Sequence, residues 1–117
     1  MGTDDLVTST AVVGHSVVVS VTGDVDLTSS GHLREVLRDA ISESDNVVVD
    51  FAGLTFIDSS GLSALVDAHR RARDGGGTLT VRHPTAILRR LLDITRLRTV
   101  LVIDPPEPGS LGSGDRS

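Results

Sequence analysis

The chain has 117 residues, 38% of them hydrophobic, a net charge of −5 and no cysteine, which fits a single domain with an ordinary core. The missing cysteine excludes disulfides, thiol chemistry and cysteine-based zinc sites, and suits a reducing compartment. The negative balance opposes the phosphate neutralisation that nucleic-acid binding rests on, and Phe51 and Phe56, the only aromatic residues, make no base-stacking platform.

The opening "MGTDDL" is acidic and lacks the basic and apolar regions of a secretory leader. Leu6 stands where a myristoylation signal needs serine or threonine, and no apolar run approaches the ~20 residues of a membrane span. The expectation is a cytoplasmic protein with no membrane partner. Residues 1–5 are expected to be flexible, residues 6–104 to form the domain, and residues 105–117 to be a disordered tail rich in Pro, Gly and Ser.

"LVTSTAVVGHSVVVSVTG" reads as two strands joined in a hairpin at Gly14-His15. A helix follows, with Leu33, Val36, Leu37, Ala40 and Ile41 at helical spacing and Thr28, Ser29 and Ser30 as hydroxyl caps before it. "NVVVDF" has the continuous apolar character of a strand buried on both faces. A second helix begins after "FID", with Leu62, Leu65, Val66 and Ala72 on one face and Asp67 and Arg71 paired four apart on the wet side. Gly75-Gly76-Gly77 closes it ahead of the strand "TLTVRH".

Pro84 suits the first position of a third helix, whose buried stripe is Ile87, Leu88 and Leu91. "TVLVID" is the last strand. The order ββαβαβαβ predicts an α/β fold with a mixed, mostly parallel sheet, its hairpin supplying an antiparallel edge. Function in such sheets gathers at the carboxyl ends of the strands. "GDVD", with Asp24 and Asp26, and "FIDSSG" both fall at strand-to-helix junctions of that kind, so they are expected to share one rim.

"FIDSSGL" places Asp58, Ser59, Ser60, Gly61 and Leu62 where a strand becomes a helix. Asp58 can cap that helix through the amides of Ser60 or Gly61. Either serine in the first turn sits beside unpaired amides and the positive end of the helix dipole. Glycine at 61 costs helix propensity, up to ~1 kcal/mol relative to alanine, which points to something approaching the backbone closely.

A hydrolase nucleophile fits poorly. Ile57 replaces the leading glycine of the Gly-x-Ser-x-Gly elbow, and His69, ten residues past Ser59 on one helix, lies ~15 Å away. His32 and His83 are not excluded by spacing, but nothing marks either as a base. The glycine triplet closes a helix instead of opening one, so it is no phosphate loop. Asp24 and Asp26 lack the further carboxylates of a calcium loop. No cofactor and no metal is expected, and an enzyme is disfavoured.

These residues resemble the STAS-domain family of anti-sigma factor antagonists from Leu6 to Asp104. The resemblance is strongest over "VVVDFAGLTFIDSSGLSALVDAHRRARDGGGTLTV". "GDVD" resembles the family's Gly-Glu-Leu-Asp turn, and "LRRLLDITRLRTVLVI" its closing helix and strand. The resemblance implies a single STAS domain whose phosphoacceptor is Ser59, with Asp24, Asp26, Asp58, Ser59, Ser60, Gly61 and Leu62 meeting the partner. It also implies that partner: an anti-sigma factor that is a GHKL-type serine kinase and itself binds Mg-ATP. The unmodified antagonist binds the kinase and frees a sigma factor, phosphorylation ends the binding, and a PP2C-type phosphatase restores it.

The chain departs from the family in two places. Ser29 and Ser30 replace Thr-Ala, and Arg96 replaces a glycine, at a cost of ~1–2 kcal/mol if that position is left-handed. Two rival roles go with the same domain, as accessory subunit of a lipid-transport complex or as part of a stress-signalling scaffold. The intact Asp58 to Gly61 motif favours the switch.

Overall fold

The computed structural model describes residues 6–104, so the expectations for the two termini lie outside the described residues. The elements run β1 (Leu6–Val13), β2 (Ser16–Val25), α1 (Ser30–Glu43), β3 (Asn46–Ile57), α2 (Ser59–Asp74), β4 (Thr78–Arg82), α3 (Ala86–Thr95) and β5 (Val102–Asp104). They form a five-stranded sheet ordered β1-β2-β3-β4-β5, with β1 antiparallel to β2 and the other neighbours parallel. This is the expected α/β architecture.

The hairpin forms as the sequence predicts. Val13 pairs with Ser16, and Gly14 takes the left-handed conformation (φ 61°) that a two-residue turn requires. Strands β2 to β5 then follow one another in parallel and in order. Crossovers of one hand therefore lay their helices over the same face. Val19, Val49 and Val81 stand in register on that face and are fully buried, whereas Val18, Val48 and Thr80 on the other face are only half-buried.

That one-sided cover corrects the reading of "NVVVDF". β3 is not buried on both faces: it alternates, with Val47, Val49 and Phe51 inside. It also runs on to Ile57, past its pairing with β4, by following β2 through two register shifts. Those shifts carry the end of β3 to the end of β2, where the rim is built.

Leu33, Leu37 and Ala40 of α1, and Leu62, Leu65, Val66 and Ala72 of α2, face the core as their spacing requires, with Val36 and Ile41 at the margin. Asp67 does not pair with Arg71 along α2. It bonds Arg34 across the gap to α1, because the two helices pack side by side.

The third helix is shifted from its predicted position. Pro84 precedes the helix, and Thr85 caps it by accepting a hydrogen bond from the amide of Leu88 (3.5 Å). The buried pair is accordingly Leu88 and Leu92, while Ile87 is exposed and Leu91 lies at the edge. Arg96 closes α3 in the left-handed region (φ 62°), with Leu97 donating back to the carbonyl of Leu92 at 3.0 Å. The predicted last strand is shorter than "TVLVID", because Val100 and Leu101 first bond back to the carbonyl of Leu97 in a turn.

Candidate functional site

The two acidic turns meet as the sequence predicts. Asp24 pairs with Phe56 and Val25 with Ile57, and the amide of Asp58 donates to the carbonyl of Val25 at 3.1 Å. The hydroxyl of Thr55 donates to Asp24 Oδ1 at 2.5 Å. One rim therefore carries the start of α1 and the start of α2.

At the start of α1 no serine or threonine caps the helix, contrary to expectation. Asp26 organises the turn instead. Its Oδ1 accepts hydrogen bonds from the amides of Thr28 (3.0 Å) and Ser29 (3.2 Å) and from the Thr28 hydroxyl (2.7 Å). These bonds, led by that of the Thr28 hydroxyl, hold the Asp26 carboxyl below its ordinary value of 3.8. The buried Ser29 hydroxyl turns backward, donating to the carbonyl of Asp24 (3.0 Å) and accepting from the amide of Asp26 (2.9 Å). The Thr28 and Ser29 hydroxyls are committed to Asp26 and Asp24, so neither turns forward to cap the first turn of α1.

At the start of α2, Asp58 has the extended backbone of a cap residue, and its Oδ1 accepts from the amides of Ser60 (2.9 Å) and Gly61 (3.3 Å). It also accepts the Ser60 hydroxyl at 2.5 Å. Ser60 is thus half-buried and engaged. Ser59 is exposed, and its hydroxyl has no hydrogen bond among the described residues. The carboxylate discriminates between two adjacent serines.

Glycine at 61 has a local cause. A Cβ there would lie 2.6 Å from Cγ1 of Val25 and 2.8 Å from Cγ1 of Ile57. The groups that approach its backbone belong to the ends of β2 and β3. Gly61 and Leu62 are both buried and seat the turn on the sheet, whereas Ser59 faces solvent.

The sequence reading missed two residues of this surface. Leu27, between the Asp26 turn and α1, is 79% exposed, and Phe56, just before the Asp58 turn, is 44% exposed. An apolar residue set inside an acidic turn, out of step with either neighbouring periodicity, was the available signal. The rim presents a free hydroxyl and three carboxylates beside two uncovered apolar side chains.

His32 lies in the first turn of α1, whereas His83 and His69 stand away from the rim. His83 Nδ1 lies 3.1 Å from Asp50 Oδ1, seven residues before Ile57 on β3 and so roughly 20 Å from the rim along the strand. His32 Nε2 lies 3.4 Å from the Thr8 hydroxyl, toward the β1 edge. His69 is buried within α2, with no hydrogen-bond partner for Nδ1 among the described residues, and burial followed by the charges of Arg73 and Arg70 lowers its pKa from 6.5.

The model of the family described as "Mlab, STAS domain" matches residues 8–103, and the chain belongs to the STAS-domain family. It is 26% identical over 97 residues to the anti-sigma-B factor antagonist of Bacillus subtilis (strain 168), covering 83% of this chain and 89% of that protein. Its fold matches an anti-sigma factor antagonist from Mycobacterium paratuberculosis with a TM-score of 0.78, at 21% identity and 92% coverage of both chains. It likewise matches the anti-sigma factor antagonist SpoIIAA in its unphosphorylated form, with a TM-score of 0.71 at 19% identity, covering 89% of this chain and 91% of that one. The phosphorylated form of SpoIIAA, from Bacillus, matches with a TM-score of 0.67 at 19% identity, over 91% of this chain and 97% of that one. At these identities the solved structures establish the shared fold.

Proposed function

We propose that this chain is an anti-sigma factor antagonist controlled by phosphorylation of Ser59. Unmodified, it binds an anti-sigma factor serine kinase and releases a sigma factor. The phosphorylated form does not bind, and a PP2C-type phosphatase resets it. The observation that carries this reading is the contrast between the two serines: Asp58 occupies the Ser60 hydroxyl and leaves that of Ser59 free and exposed. The similarity to the Bacillus subtilis antagonist supports the class of partner.

The chain serves as substrate and ligand. A serine on the first turn of a packed helix enters another protein's active site without local unfolding, and the kinase brings its own base and Mg-ATP. Asp24, Asp26, Ser59 and the rim of Ser60 contact the partner, with Leu27 and Phe56 supplying apolar area. Gly61 and Leu62 act from below by fixing the turn.

Phosphorylation blocks docking without unfolding the chain. The phosphate adds about −1.5 to −2 charges at a helix N-terminus, where the dipole contributes ~0.3–1 kcal/mol of stabilisation. Repulsion between two unit charges roughly 6 Å apart, the order of separation from Asp58, is ~0.7 kcal/mol in water. These effects nearly cancel on an exposed rim. Inside an interface shaped for a hydroxyl, an unpaired buried charge costs ~2–5 kcal/mol.

Incubation with the cognate kinase and Mg-ATP, followed by peptide fragmentation, tests the acceptor. One phosphate on Ser59 is expected, and none on the Ser59→Ala variant. Equal labelling of that variant would reassign the switch to Ser60.

A further inference from the structure

The groove between α1 and α2 is lined by charge opposite to that of the rim, although the two helices as a whole carry five arginines and five carboxylates. Arg34 and Arg38 from α1 and Arg71 from α2 flank a shallow cleft of about 40 Å³ floored by Ala64 and Ala68. Alanines one turn apart on α2 let the helices pack closely and leave this channel uncovered. Arg70 and Asp74 extend it along α2. Arg34 is committed to Asp67 and the Ser63 hydroxyl. Arg38, Arg70 and Arg71 are exposed and have no hydrogen bond or ion pair among the described residues. Four arginines against two aspartates give the groove a positive excess in a chain of net charge −5.

We propose that this groove is a second docking surface, for an acidic polypeptide segment whose carboxylates pair with Arg38 and Arg71. The chemistry selects that occupant. The groove is walled by the middles of two helices, whose amides are spent within the helices, so guanidinium groups are its donors, and they match carboxylates in bidentate geometry. Phe51 is buried and Phe56 sits on the rim, so no aromatic ring is present to stack a nucleobase. A long polyanion would also meet the negative remainder of the chain, whereas a short acidic segment lies within one groove.

The groove begins close to the rim, since Ser63, bonded to Arg34, is one turn past Ser59. Arg71 is twelve residues past Ser59, ~18 Å along the helix axis. A single partner can span both surfaces. A phosphate at Ser59 leaves the far end of the groove unchanged, so this contact persists in the modified form.

The test is an amide NMR titration at low salt with an end-capped octa-glutamate peptide, which needs no assumption about Ser59. Shifts should concentrate in residues 34–41 and 64–74. Affinity should fall at least about tenfold in the Arg38→Glu/Arg71→Glu variant, and fall steeply with added salt. Both arginines are exposed and unpartnered, and an unchanged thermal melt of the variant confirms that it folds. Ser59→Asp should bind the peptide within about twofold of the parent. Shifts scattered over the chain, or equal affinity in the double variant, would overturn the proposal. So would tighter binding of a short single-stranded DNA or of ATP to the same residues, or loss of peptide binding in Ser59→Asp.

Discussion

The two helix starts on the rim use the same parts to opposite ends. Each has an aspartate after a strand and serines after the aspartate. At α1, Asp26 gathers the Thr28 and Ser29 amides, and the Ser29 hydroxyl is buried between Asp24 and Asp26. At α2, Asp58 gathers the Ser60 and Gly61 amides and the Ser60 hydroxyl, leaving Ser59 bare. The first arrangement welds a turn. The second holds a turn rigid while freeing one nucleophilic oxygen, which is what a modified residue on a folded surface needs. Placing the capping group on the neighbour, and not on the serine itself, separates structure from signal.

That contrast breaks most visibly at Ser29. Ser29→Ala leaves the Asp26 amide and the Asp24 carbonyl without their partner, so a loss of about 1–3 kcal/mol is expected in urea titration. A smaller loss follows at Asp58. Asp58→Ala removes a helix cap and should cost about 1 kcal/mol, roughly 4 °C in melting temperature for a domain of this size. It should also release the Ser60 hydroxyl, so kinase labelling of this variant should spread to Ser60.

A third prediction concerns pH and the helix that carries the switch. His69 folds with a lowered pKa, so its neutral form is favoured in the fold and the unfolded chain takes up the proton first. Its contribution is fully present above the ordinary value of 6.5 and is lost as pH falls from there toward the lowered folded value. Denaturation midpoints across that window should fall with acid in the parent chain and stay flatter in His69→Leu. The substitution also removes the unpartnered Nδ1, so it should not destabilise the chain at neutral pH. The smallest effect belongs to Ser59. Ser59→Ala should change stability by less than ~0.5 kcal/mol, as for an exposed side chain without partners. A loss as large as that at Ser29 would erase the distinction between the two turns.

The sequence made the elements legible where apolar spacing alone decides them, as in Leu33, Leu37 and Ala40, or where a turn has its own chemistry, as at Gly14-His15. It misled where a tertiary neighbour decides. β3 follows β2 beyond its apolar run and Asp67 chooses Arg34 over Arg71; α3 was misplaced for a local reason, the Thr85 cap, and Leu92 takes the core place expected of Ile87. The left-handed Arg96 was legible, because glycine is the residue expected there. At the rim the Asp58 cap was readable from residue order, and so was the meeting of the two turns. The exposure of Phe56 was not, since it follows from the register shifts that carry β3 along β2, whereas Leu27 had its signal in its place within an acidic turn. Nor was the engagement of Ser60, which turns on one hydroxyl rotamer.

Titration calorimetry of the kinase partner with the unmodified and the Ser59-phosphorylated chain, alongside melting of both forms, tests the switch most directly. Melting temperatures within a few degrees of each other and binding weakened at least ~30-fold by the phosphate are expected. Equal affinity for the two forms would contradict it.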